Sequence, residues 1–300
     1  MKAMILAAGL GTRLRPLTLE RPKALIPVGN RPMIDRVIGY LKGHGINELM
    51  VNAHHHHEQI VAHLCTGRSF GVKIGVKVEP EILGTGGGIG NTRGFWDDGP
   101  FVVMNGDILT DMDLGRALEA HERGGNLATL ILHDCPPFNQ ILINEHLDIM
   151  EIGAKARPGR LAFTGIHIVD PEVLTHIPEG RFSTIIDCYR KLINRGRPIR
   201  AYVSGGHYWR DVGTVESYVS ANREALGGSQ TMRGPGCRID GSVRFGDWAV
   251  MGRETILEQG VEIQRSILWD GVRVKKGVKV VDSIVMSHRE VRKGLVGEIL

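Results

Sequence analysis

The sequence predicts an α/β protein: a mixed, mostly parallel sheet flanked by helices, followed by a short parallel β-helix. Three observations carry this. Short apolar runs, such as residues 3–8 and 101–104, read as strands buried on both faces. Amphipathic segments stand between such runs, as in 31–44, where Met33, Ile34, Val37, Ile38 and Leu41 share one helical face. From Ile239 onwards apolar residues recur at every sixth position, the period of a β-helix.

Residues 3–8 make the first strand, and Gly9 and Gly11 end it. Glycine permits a sharp turn with exposed N–H groups, and successive N–H groups form an anion-binding concavity. Arg13, Arg15 and Lys23 place three cations beyond the turn. A strand, a glycine turn and clustered cations suit a polyphosphate. A dinucleotide-binding turn fits worse, because its third glycine falls at Leu14 and Pro16 interrupts the helix that should follow.

This stretch resembles the signature of the sugar-1-phosphate nucleotidylyltransferases, L-A-x-G-x-G-T-R-L-x-P-L-T followed by P-K-x-x-x-P-V, matched at residues 6–18 and 22–28. The resemblance implies a Rossmann-like catalytic domain that joins a nucleoside triphosphate to a sugar 1-phosphate with the help of Mg²⁺. It places Leu6, Ala7, Ala8, Gly9, Gly11, Thr12 and Arg13 on the nucleotide, and gives Arg13 and Lys23 catalytic roles.

Asn30 is positioned to cap the helix at 31–44, Pro32 suits its first turn, and Gly43 and Gly45 end it. A strand follows at 49–52. Next come His54, His55, His56 and His57, whose side chains point in different directions; they read as a polar loop rather than a metal site. Alternation at 72–78 predicts another strand, followed by Glu79 and the glycines of 84–88. Three consecutive glycines are costly to order, which points to close approach of a ligand. The segment resembles the family's second nucleotide loop, which implies contacts from Glu79, Gly84 and Thr85. Many relatives carry there a glutamine that reads a pyrimidine. A carboxylate accepts hydrogen bonds only, so Glu79 suits the adjacent N–H donors of guanine and tilts the reading towards GTP.

The strand at 101–104 delivers Asn105, Gly106 and Asp107 to its carboxyl end, where open α/β sheets bind ligands. Asp107 offers a hard oxygen for Mg²⁺, although an aspartate there also suits an Asx turn. It matches a metal position of the family. Asp111 and Asp113 read as loop and helix-cap residues. A helix at 113–124, a strand at 127–132 and a hairpin at 140–152 with Glu145 and His146 at its turn follow. The family's sugar-side residues map onto Asn105, Glu151, Lys155, Thr164 and Gly165, with Arg157 as an alternative to Lys155 for the sugar phosphate. The usual Glu-Lys-Pro run is absent, and Gly165 reads equally as a bulge in a buried strand. After a helix from Ser183 and a strand at 199–203, residues 209–214 resemble the family's W-x-D-x-G-T, which makes Asp211 the second metal ligand. Thr214 caps a helix over 215–226.

In the hexad region the ladder Ile239, Phe245, Met251, Leu257 and Ile263 shortens by one residue and resumes at Leu268, Val274, Val280 and Met286. It resembles the left-handed β-helix tail of many of these enzymes. The expected domains are 1–228, catalytic, and 229–300, the β-helix, with a homo-oligomer formed through the open end of the tail.

Composition bounds the function. The 300 residues carry 42 % apolar side chains, enough for a full core, and a net charge of +4 without a long basic run. This favours anionic small molecules and argues against nucleic acid. Four scattered cysteines read as reduced thiols of a cytoplasmic protein, and no apolar run reaches membrane-spanning length. GTP with mannose 1-phosphate is the first substrate pair; UTP with glucose 1-phosphate or an amino-sugar 1-phosphate is its rival. From other classes come a catalytically silent nucleotide-sugar-binding regulatory subunit, disfavoured by the retained Arg13, Lys23, Asp107 and Asp211, and an acyltransferase acting through the tail.

Overall fold

Buried runs and amphipathic helices alternate as the pattern predicts. The computed structural model describes residues 1–300. In chain order the strands before the tail are β1 (Lys2–Leu6), β2 (Pro27–Val28), β3 (Arg31–Pro32), β4 (Glu48–Ala53), β5 (Lys73–Val78), β6 (Phe101–Asn105), β7 (Ile108–Thr110), β8 (Ala128–His133), β9 (Asn139–Ile143), β10 (Ile149–Ile152), β11 (Leu161–Val169), β12 (Ile199–Val203) and β13 (Trp209–Asp211). The helices are α1 (Met33–Gly43), α2 (His57–Leu64), α3 (Gly84–Gly90), α4 (Leu114–Gly124), α5 (Ile185–Asn194) and α6 (Val215–Ala225). The chain makes two compact units: Met1–Leu10, Pro22–Ala24 and Ile34–Asp211 in one, Gly11–Arg21, Leu25–Met33 and Val212–Leu300 in the other.

The first unit is built on a nine-stranded sheet, ordered β10-β9-β11-β6-β1-β4-β5, with β8 on β11 and β12 on β8. β1 runs parallel to both β4 and β6, and β4 to β5. β11 runs antiparallel to β6, β8 and β9 and makes the sheet mixed. Parallel strands need both faces covered, and α5 supplies one cover. Its Ile185, Cys188, Tyr189 and Leu192 join Met4, Val103 and Leu130 in one core. Thr184 caps α5 by accepting from the Asp187 N–H.

In the second unit, Thr214 and Ser217 form a reciprocal capping box at the start of α6. The tail strands stack in parallel: Ile239 lies beside Leu257, and Leu257 beside Val274. The spacing thus loses one residue between coils, as the hexads predict. Leu257, Ile263, Leu268, Val274 and Val280 fill the inside of the coils, with Val261, Val272 and Val278 from the intervening positions. At the last coil the ladder is continued by Val285 rather than Met286, since Leu268 pairs with Val285.

Residues 11–21 and the tail share this unit through specific contacts. The Arg21 guanidinium lies 4.8 Å from the Trp269 ring centre and donates to Ser287 Oγ at 3.2 Å. Trp269 Nε1 donates to the buried Tyr218 hydroxyl at 2.8 Å, and Arg289 pairs with Glu20. Asn30, expected as a helix cap, is elsewhere. Gly29 and Asn30 both have positive φ, 55° and 59°, and close the β2–β3 hairpin. Two left-handed residues suit a tight two-residue turn, so Pro32 lies in β3 and α1 starts one residue later. The Asn30 amide donates to the Met251 carbonyl.

All four cysteines are free. No helix is long and apolar enough to cross a membrane.

His167 of β11 is buried, with Nδ1 2.6 Å from the Tyr189 hydroxyl oxygen, and burial holds its pKa down to about 3, from an ordinary 6.5. Above pH 6.5 the imidazole is neutral in folded and unfolded chains alike. Below it the unfolded chain binds a proton that the folded chain refuses, so stability falls with pH down to about 3, by up to ~1.4 kcal/mol per pH unit. Urea unfolding near pH 7 and near pH 5 is expected to show His167→Gln losing about 1–2 kcal/mol less than the parent on acidification. An identical loss in both proteins would remove His167 as the cause.

Candidate active site

β6 ends at Asn105, and the Gly106 N–H donates to the Leu6 carbonyl at 2.9 Å. The chain leaving β6 is thereby fastened to the end of β1. A Cβ at Gly106 would stand 3.0 Å from that carbonyl oxygen, so glycine allows the approach. Asp107 comes next, its carboxylate paired with the Lys23 ammonium. Both side chains are largely shielded, at 22 % and 14 % exposure. β13 pairs antiparallel with β7 and sets Asp211 opposite Ile108. Asp107 thus immediately precedes the residue that Asp211 faces across this short ladder. Thr110 Oγ1 donates to the Tyr208 carbonyl and the Tyr208 N–H donates to Asp111 Oδ1, which fixes the far end of that ladder. Asp113 caps α4.

Asp211 lines a cavity of ≈ 220 Å³, together with Asn105, Gly165 and Trp209 among others. Trp209 is held by its Nε1–H, which donates to the Thr164 carbonyl at 2.9 Å. The Thr164 hydroxyl turns the other way and donates to the Ile131 carbonyl, so only its backbone serves this wall. Gly165 has φ +79°, at a register shift in the β11–β8 pairing, and a Cβ there would stand 2.7 Å from Asn105 Nδ2. Gly165 is the bulge of a buried strand, as one of its two readings has it, and it also lines the cavity.

Glu151 and Lys155 do not line this cavity. The buried Arg160 guanidinium donates to Glu151 at 2.6 Å, and that hydrogen bond holds the Glu151 carboxyl below its usual range. Lys155 and Arg157 are exposed on the turn after β10. The basic residue that does reach the cavity is Arg190 of α5, which sequence reasoning missed. It donates from Nε to the Ile152 carbonyl at 3.0 Å and from its guanidinium to Asp187 at 3.0 Å. Its spacing four residues after Ile186, another lining residue, is the one signal the sequence held.

The first glycine turn is divided between the units. Leu6, Ala7, Ala8 and Gly9 belong with the sheet, and nothing lies within 4 Å of a Cβ added to Gly9. Gly11, Thr12 and Arg13 belong to the second unit, where Gly11 takes a left-handed φ of 64° before the turn Thr12–Leu14. Thr18 Oγ1 donates to the Gly11 carbonyl, and the Arg13 side chain is exposed.

The second glycine segment differs from expectation in two ways. Gly84–Gly90 is a helix, and Gly86, Gly87 and Gly88 are buried inside it. Their Cβ positions would collide with Thr184, with the Arg181 carbonyl and with the Asn52 amide, at 2.9, 2.6 and 2.7 Å. Close packing of protein against protein accounts for these glycines. Glu79 is only 1 % exposed. Asn52 Nδ2 donates to its Oε1 at 2.7 Å and the Leu83 N–H to its Oε2 at 3.1 Å, so the carboxylate faces inward. Thr85 Oγ1 accepts from the Ile185 N–H. Of the histidine run, His54 Nδ1 lies 2.8 Å from the Glu79 carbonyl oxygen and His57 Nδ1 3.1 Å from that of His54. No three metal-ligating side chains cluster there or elsewhere.

Residues 2–227 match the nucleotidyl transferase family. A UTP–glucose-1-phosphate uridylyltransferase of Synechocystis sp. is 29 % identical, with 96 % of this chain and 88 % of that protein covered. A mannose-1-phosphate guanylyltransferase of Mycobacterium tuberculosis is also 29 % identical, with 92 % and 81 % covered. An N-acetylmuramate α-1-phosphate uridylyltransferase of Neisseria meningitidis is 36 % identical, with 72 % and 94 % covered.

Alanine at position 165 would combine a left-handed backbone with the contact on Asn105. Gly165→Ala is expected to lower stability by about 1–2 kcal/mol, read as a lower denaturation midpoint. Stability equal to the parent's would show that the bulge relaxes freely.

Proposed function

The chain belongs to the nucleotidyl transferase family, and on that premise we propose that it joins a nucleoside triphosphate to a sugar 1-phosphate and releases pyrophosphate. The observation that supports this reading is that Asp107, paired with Lys23, directly precedes Ile108, the residue opposite Asp211, and that Asp211 lines a cavity reached from the carboxyl end of β6. An oxygen of the sugar phosphate attacks the α-phosphorus, a new P–O bond forms, and the bond to the β-phosphate breaks. No enzyme nucleophile is required, so the work of the protein is positioning and charge compensation.

Asp107 and Asp211 are the carboxylates we assign to Mg²⁺, which keeps much of its water and needs few protein ligands. When bound, the ion neutralises charge on the reacting phosphates. Lys23 compensates one carboxylate and offers an ammonium at the same place. Arg13, exposed, is the cation we assign to the departing pyrophosphate. On the sugar side, the Trp209 ring offers an apolar face and the Asn105 amide a donor and an acceptor for hydroxyls. Arg190 takes the place by this cavity that Lys155 held in the sequence reading.

The Glu79 carboxylate, which would select guanine, is committed to Asn52 and Leu83. We therefore favour UTP, in line with the uridylyltransferase that is 36 % identical. GTP with mannose 1-phosphate is the second reading, supported by the guanylyltransferase that covers most of the chain. Contacts between copies are assigned to the open face of the tail, where Val296 is 70 % exposed.

The test is a screen of the four common nucleoside triphosphates against sugar 1-phosphates, scored by Mg²⁺-dependent pyrophosphate release. One pair should dominate. Asp107→Ala and Asp211→Ala are each expected to lower turnover on the order of 10²–10³-fold with circular dichroism unchanged. Near-parental turnover in both would remove the metal assignment; nucleotide-sugar binding without turnover in the parent would favour a regulatory subunit.

A further inference from the structure

Between the first two turns lies a buried chain of three hydrogen bonds. The Ala7 N–H, just past β1, donates to Asn52 Oδ1 at 2.8 Å. Asn52 Nδ2 donates to Glu79 Oε1 at 2.7 Å, and Glu79 Oε2 accepts from the Leu83 N–H at 3.1 Å, at the foot of α3. Asn52 and Glu79 are 3 % and 1 % exposed, and each stands at the carboxyl end of its strand. Gly88 presses on the middle of this chain: a Cβ there would stand 2.7 Å from Asn52 Nδ2 and 2.9 Å from Glu79 Oε1.

A buried polar group left unpaired costs more than the bond it had made, so a fully paired chain has a narrow choice of geometries. We propose that Asn52 and Glu79 are positioning residues, which tie the turn after β1 to the turn before α3 so that both meet one nucleotide in a fixed relation. This rests on the reading of those two turns as the nucleotide-holding segments. It assigns Glu79 a role through the backbone, with no contact to the base.

The chemistry of the chain gives its own test. Glutamate at 79 accepts at both oxygens, and asparagine at 52 accepts at one end and donates at the other. Asn52→Asp sets two acceptors against each other. Glu79→Gln sets an NH₂ against one of its two donors. The double variant Asn52→Asp/Glu79→Gln restores all three bonds with the middle one reversed: the glutamine NH₂ donates to the aspartate, the aspartate accepts from Ala7, and the glutamine oxygen accepts from Leu83.

Steady-state kinetics are expected to show each single variant raising KM for the nucleoside triphosphate about tenfold, with KM for the sugar 1-phosphate changed far less. The double variant should return to within about threefold of the parent. A general loss of folding would lower the active fraction and leave both KM values in place. Parental nucleotide KM in the singles, or a double variant no better than they are, overturns the proposal. Amide hydrogen exchange on the free protein supplies an arm independent of activity. In Glu79→Gln, exchange is expected to rise together at residues 7–10 and 83–88; a rise at 83–88 alone overturns the link. If the parent turns over no substrate pair, the functional reading fails and the exchange arm alone decides the link.

Discussion

Parallel pairing of β1 with β4 on one side and β6 on the other is the constraint on which the site depends. Because the three strands run the same way, their carboxyl ends lie along one edge, and the chain must turn there three times. Each turn is fastened to its neighbour by backbone or by a side chain: Gly106 N–H on Leu6, Ala7 N–H on Asn52, and the Asn52 amide on Glu79 just past β5. The polar atoms at this edge are mostly spent on holding one another. Lys23 and Asp107 are paired with each other at a largely but not fully shielded position, where the partnership is more easily exchanged than in a sealed core.

Glycine plays two different parts along this edge. At Gly165 it lets an amide side chain approach at a distance no Cβ permits, and at Gly106 it lets the Leu6 carbonyl come as close as few Cβ atoms allow. In α3, three buried glycines let a helix of poor intrinsic propensity sit against residues 181–184 and against Asn52. Packing, rather than helix propensity, holds that element in place.

What the sequence made legible was local. The strand and glycine turn at its start, the aspartate at the end of β6 and the capped helix after Thr214 each leave a pattern among near neighbours, and the hexad ladder with its lost residue repeats at one short spacing. The chain's membership of its family followed from the first of these. What stayed hidden depends on partners distant in the chain. Glu79 is turned inward by Asn52, and the α3 glycines are filled by 181–184, so neither shows in a window of neighbours. Arg190 reads locally as one more charge on the polar side of an amphipathic helix, yet α5 brings it to the cavity. Asn30 was misread because a left-handed pair of residues satisfied a hairpin before the helix could claim it.

The contacts of residues 20 and 21 have a consequence for how the molecule comes into being. Arg21 rests on Trp269 and Ser287, and Glu20 on Arg289. On the ribosome, the strand of the amino-terminal motif can form early, but the limb that follows it finds its support only when residues some 250 positions later have been synthesised. The first motif to be translated therefore cannot have all of its contacts until the tail has been made.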